Sequence, residues 1–176
     1  MSSPAPTDPA IEAVSIVMGT LADAFDPNGP WPPVQGSTDV HFFAGEGPAT
    51  AAWDAHTTQP GCDAPFLWVR VAQRYRTKRI PAPVVDPANC QLPRAITVEV
   101  GVARCAVVDV DATWDDYAAE AATSLDDSWR IEAALCAARG RLLTDSYLAA
   151  THPVSPYGPE GGLLAWSGMI DIQIGD

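Results

Sequence analysis

Residues able to do chemistry are few in this chain of 176 residues, and they are scattered. Asp54 and His56 come nearest to an acid and a base. Two residues apart, they would share a face only on a strand, and no nucleophile or third group accompanies them, so both are read as solvated loop residues. Cys62, Cys90, Cys105 and Cys136 form no C-x-x-C pair, and His41, His56 and His152 show no metal spacing. The chain is therefore expected to carry no catalytic, cofactor-binding or metal-ligating residues and not to be an enzyme. Cys105 ends a predicted interior strand and Cys136 flanks a helical stripe, so these two are expected to be reduced and buried. Cys62 and Cys90, both in loops before strands, are the expected pair if any disulfide forms.

What the side chains offer instead is segregated charge. The formal net charge is −12, yet residues 1–69 hold eight acids and no Lys or Arg. Residues 70–105 invert this, with seven basic residues against Asp86 and Glu99, and the remainder is acidic again. So acidic a protein is not expected to read nucleic acid, whose binding rests on neutralising phosphates. The basic band is better suited to acids, in this chain or in a copy of it. No apolar run approaches the roughly 18 residues of a transmembrane helix, and the N-terminus lacks the basic region of a secretory signal. These features predict a protein made in the cytosol, with no membrane partner.

The elements that must position these residues can be read from periodicity. Arg94–Cys105 alternates strictly, with Ile96, Val98, Val100 and Val102 on one side and Thr97, Glu99 and Gly101 on the other. It is predicted to be the central strand, with Gly101 marking a bulge or a close backbone approach. Phe66–Lys78 is a second strand: Leu67, Val69, Val71 and Tyr75 on one face, and Arg70, Arg74, Arg76 and Lys78 with Phe66 and Trp68 on the other. That basic stripe could be a solvated face with cross-strand pairs such as Arg70 or Arg74 with Glu99, a contact for a protein neighbour, or a nucleic-acid surface. The Pro-rich segment 79–93 reads as a projecting arm with Val84 and Val85 near its tip. Arg70, Arg74, Arg76, Lys78, Val84 and Val85 are accordingly the predicted interface.

Around these two strands, Asp8 and Pro9 open a helix whose apolar stripe is Ile11, Val14, Met18, Leu21 and Phe25. Residues 27–65 read as a long excursion with one short strand near 39–44 and a helical turn over 48–56. Thr113-x-x-Asp116 is a capping box opening a helix with a stripe at Trp114, Tyr117, Ala121 and Leu125. A second box, Ser124-x-x-Asp127, and a new phase at Ile131, Leu135, Ala138 and Leu142 suggest two helices or one kinked near 125, with Gly140 as C-cap. Strands follow over 146–151 and 163–174, joined by a Pro/Gly loop. The prediction is one α+β domain over 8–176 behind a disordered tail of residues 1–7, with helices on a largely antiparallel sheet of four to five strands.

Several of these stretches resemble the tail terminator proteins of long, non-contractile-tailed bacteriophages. They are Phe66–Val71, Ile96–Cys105, the acidic helical pair Asp115–Ala121 and Asp126–Cys136, and the ending Gly158–Ile174. The resemblance spans about residues 60–174 and is one of pattern and order, without a chemical signature. It implies a small subunit forming a hexameric ring on the tail tube, assembled in the host cytoplasm and carried in the virion. Such a ring halts tube growth, meets the major tail tube protein and the head-to-tail stopper or connector, and lets genomic DNA through its lumen without specific binding. A subunit that is itself acidic suits such a channel, and segregated charge suits head-to-tail ring contacts. Two alternatives stand beside it: another ring of the connector, stopper or adaptor, and a small ligand-binding or enzymatic α+β domain.

Overall fold

The computed structural model describes residues 8–45, 50–58, 61–85, 89–145 and 147–174, so the predicted tail of residues 1–7 lies outside the described residues. In chain order the elements are α1 (Ala10–Ala24), β1 (Val40–Phe43), α2 (Thr50–Thr58), β2 (Phe66–Arg76), β3 (Arg94–Cys105), α3 (Trp114–Thr144), β4 (Leu148–Thr151), β5 (Ser155–Glu160) and β6 (Leu163–Gln173). The fold is α+β. Six strands form one sheet in the order β1-β2-β3-β6-β4, with β5 paired to β6 beside β4. All pairs are antiparallel except β1 with β2.

The sheet therefore has six strands where the sequence predicts four or five. The extra one is β5, which lies in the segment read as a Pro/Gly loop. Pro156 and Pro159 cannot donate to a ladder, but β5 pairs on one side only, where a missing N–H costs nothing.

β3 is central, flanked by β2 and β6, and its side chains from Ala95 to Ala103 are buried. Its even-numbered residues, with Leu67 and Val69 of β2 and Ile170 and Ile172 of β6, meet Val14, Val17 and Leu21 of α1 and Ile131, Leu135 and Leu142 of α3. α3 comes close enough to β6 that a Cβ on Gly168 would stand 2.7 Å from Leu135 Cδ1. On the opposite face α2 brings Trp53 against Phe66, Trp68, Ala103, Leu163 and Ala165. The close approach expected at Gly101 is there, made by a side chain: the Trp68 indole occupies the space where a Cβ would be, 2.0 Å from its nearest atom.

Local sequence accounts for the helix ends. α1 begins at Ala10, and the Asp8 carboxylate still accepts from Ala10 N at 3.1 Å. Its buried stripe is Ala10, Ala13, Val14, Val17 and Leu21; Ile11, assigned to that stripe by spacing, is exposed. At α3 the capping box at Thr113 and Asp116 is present on both sides. The second box is not used. α3 runs unbroken for 31 residues, passes Gly140 and is capped at Asp145, and Ser124 Oγ accepts from Trp166 Nε1 at 2.8 Å.

Candidate interaction surface

The basic stripe of β2 does not hold one face. The register against β3 shifts between Val71 and Gln73, so the side chains after this bulge swap sides. Arg70 lies opposite Glu99 and ion-pairs with it, both largely buried. Arg74 and Arg76 lie opposite Ile96 and Arg94, on the helix side. Tyr75 goes the other way, away from the apolar set with which its spacing groups it. Of the cross-strand partners proposed for Glu99, Arg70 is the one found.

At this end of the sheet Arg74 ion-pairs with Asp8 and Arg76 Nη1 donates to Leu92 O at 2.6 Å. Buried Thr77 organises the turn that follows, its Oγ1 accepting from Arg79 N at 2.9 Å and lying 2.5 Å from Ala82 O. Val84 N donates to Arg76 O at 2.8 Å, which leaves Val84 half-buried and Val85 fully exposed. Lys78 and Arg79 are exposed beside it. Residues 86–88 of the predicted arm lie outside the described residues. Of the six predicted interface residues, Arg74, Lys78 and Val85 are exposed at one end of the sheet, with Arg76 and Val84 half-buried beside them. Arg70 is held elsewhere.

The opposite end of the sheet exposes apolar side chains, among them the stripe that spacing marks at Trp114, Tyr117 and Leu125. Trp114 is 89% exposed, Leu125 71% and Trp129 54%, and Val108 and Val110 in the approach to α3 are exposed too. Asp116, Glu120, Thr123, Ser124 and Asp127 instead face the body across a cleft of about 320 Å³, walled by Val34, Arg104, the Cys105 bridge and Trp166. Arg104 binds Asp127 through two nitrogens, at 2.6 and 2.9 Å. Burial raises the Asp127 carboxyl above its ordinary range, with Arg104 pulling the other way. The first half of α3 is thus inside-out: polar residues turned to the protein, apolar residues to water. The signal in the sequence is the phase change between its stripes, which corresponds to a change from an exposed to a buried apolar side along one unbroken helix and not to a kink.

Two further expectations are corrected. Cys62 and Cys105 form the disulfide, with Cα atoms 5.5 Å apart, while Cys90 and Cys136 are free and exposed. β3 ends at Cys105, and the turn before β2 lies alongside it, which sequence separation could not reveal. His56 is no loop residue: it is buried on α2, with Nε2 2.9 Å from Ala64 O and its ring packed against Trp53 and Phe66. Asp54, on the same helix, is exposed and turned away from it.

One polar cluster could suggest chemistry. Buried Asp171 accepts from Thr97 Oγ1 at 2.5 Å and Tyr75 OH at 3.0 Å, and His152 Nε2 adjoins its second oxygen. Burial first, then the bond to Asp171, hold the Tyr75 phenol above its ordinary range. Both hydroxyls spend their protons on the carboxylate, so the cluster ties β2, β3, β6 and the end of β4 together without leaving a nucleophile beside a base. Among the described residues no three His, Cys, Asp or Glu side chains are grouped to hold a metal ion, and no helix is long and apolar enough to cross a membrane. The chain matches no protein-family model and no curated protein.

Proposed function

We propose that this protein is a structural ring subunit of a bacteriophage tail, a terminator that caps the tail tube, stops its polymerisation and joins it to the head connector. The observation that carries the reading is the pair of exposed, oppositely charged ends on one sheet. β3 has 12 residues, a span of about 37 Å. Basic Arg74–Val85 lies beside and beyond its start, with Arg76 opposite Arg94, and the acidic segment 106–129 continues from its finish, where Asp127 pairs with Arg104. Complementary surfaces at opposite ends of one subunit favour head-to-tail contacts, which give a ring where the rotation between neighbours closes. The resemblance in pattern and order supplies the rest: a homohexamer, seated between the major tail tube protein and the head-to-tail stopper, with DNA crossing an acidic lumen. The test is tube growth. Tube protein polymerised with the purified chain is expected to stop at short lengths, with a ring at one end in negative-stain micrographs. Uncapped tubes of unaltered length would overturn the proposal.

A further inference from the structure

Building on the ring reading above, we infer that the outward stripe of α3 docks onto the Lys78–Val85 end of the next copy of this chain. The stripe comprises Trp114, Tyr117, Leu125 and Trp129, with Val108 and Val110 before it. Two features say that the stripe serves something outside the chain, and a third points to a second copy as the occupant.

The first is orientation. A helix lying on its own protein buries its apolar side, as the second half of α3 does with Ile131, Leu135 and Leu142. The first half does the reverse, so its apolar side is shaped for something outside the chain. The second is area. Tryptophans bury about 150–250 Å² each. Two of them with Tyr117, Leu125, Val108 and Val110 supply a large part of the roughly 800 Å² that a standard interface takes from each partner. The third is charge. Residues 106–129 hold seven acids and no Lys or Arg, whereas residues 74–85 hold four basic residues and no acid. Among the described residues, Asp109, Asp111 and Asp115 at one end and Lys78 and Arg79 at the other take part in no ion pair. Fully exposed Val85 supplies the apolar centre that the basic end needs to meet the stripe.

The experiment measures the assembly state of the full chain by sedimentation velocity and negative-stain microscopy, with two variants. Trp114→Glu/Leu125→Glu alters only the stripe, and Lys78→Glu/Arg79→Glu alters only the basic end. All these side chains are exposed, so each variant should melt like the parent. If the stripe variant melts early, Leu125→Ser replaces it. The parent is expected to form rings, and each variant to lose them, with association weakened about 30-fold or more, the scale of losing one hot-spot side chain. Mixed together, the two variants are expected to form one-to-one dimers and nothing larger, because each retains the surface that the other lacks. Rings persisting in either variant, or no dimer in the mixture, would overturn this docking and leave the ring reading standing. A parent that stays monomeric at every concentration would overturn both.

Discussion

The two halves of α3 are one unbroken helix with opposite loyalties. From Ile131 onward its apolar residues are sealed against the sheet, and buried Arg130 fastens the start of this half by donating to Ala24 O and Trp31 O, both at 2.8 Å. Before that point the apolar residues face water, and Asp116, Glu120 and Asp127 face the protein. At 100° per residue the mean direction of the first stripe is rotated by roughly 75° from the second. That rotation is what separates a stripe that belongs to the core from one that does not. Amphipathic spacing marks an apolar side; phase relative to the core stripe decides whether that side is buried within the chain.

The sharpest way to break this contrast is to truncate one leucine from each half. Leu135→Ala removes a fully packed side chain beside Gly168 and is expected to cost about 2–5 kcal/mol in denaturant unfolding. Leu125→Ala should stay within about 0.5 kcal/mol of the parent in the monomer. Equal losses would mean that the first half is packed in the core after all. Next in size is Cys62→Ser. The bridge closes a loop with a sequence separation of 43, and its removal is expected to lower stability by about 2–4 kcal/mol. Cys90→Ser and Cys136→Ser, at free and exposed thiols, should be neutral. Thiol mass mapping without reductant gives the independent check: Cys62 and Cys105 protected, the other two modified.

The sheet was legible because its central strand is locally self-consistent. Alternation, β-branched residues and one glycine all agree over Arg94–Cys105, and α1 and the Thr113 box announce themselves in the same local way. What was not legible depends on neighbours distant in sequence. The bulge at Val71–Gln73 carries no Gly or Pro, so it shows only when β2 is laid against β3, and it moves Arg74 and Arg76 to the face opposite Arg70 while bringing Tyr75 onto Arg70's face. β5 was hidden because its prolines are tolerated only on an edge. The Cys62–Cys105 pair needs the approach to β2 to meet the end of β3. For the candidate surface, spacing picks out Arg74, Lys78 and Val85, which are exposed, while the stripe at Trp114, Tyr117 and Leu125 has core-like spacing but lies in solvent, because amphipathic spacing does not say whether the apolar side is buried.

A smaller effect probes how the first half of α3 is tethered to the body. Trp166 Nε1 donates to Ser124 Oγ across the cleft, and Ser124→Ala should cost about 1 kcal/mol, since water in the cleft can replace part of the bond. Indole fluorescence should shift with it. A silent substitution would mean that this half is held by the Arg104–Asp127 pair without help from Ser124.

The smallest effect expected is at the start of α3, and it should be local. Thr113 N and Oγ1 both donate to Asp116 Oδ2 at 2.7 Å, and these bonds, the backbone one first, hold the Asp116 carboxyl below its ordinary range. A carboxyl depressed in the folded protein adds stability that is fully present above its unfolded value and is lost as pH falls through its folded value. The Asp8 carboxyl, lowered chiefly by its hydrogen bond to Arg74, should weaken in the same direction. Because the first half of α3 has no core beneath its apolar side, losing its cap need not unfold the sheet. Hydrogen exchange should show the first turns of α3 fraying as pH drops below the usual carboxylate range, while amides of Ile131–Leu142 remain protected. Thr113→Ala should produce the same fraying already at neutral pH and return the Asp116 titration towards its ordinary value. If both halves lose protection together in that variant, α3 unfolds as one unit and the division between its halves is one of side-chain environment alone.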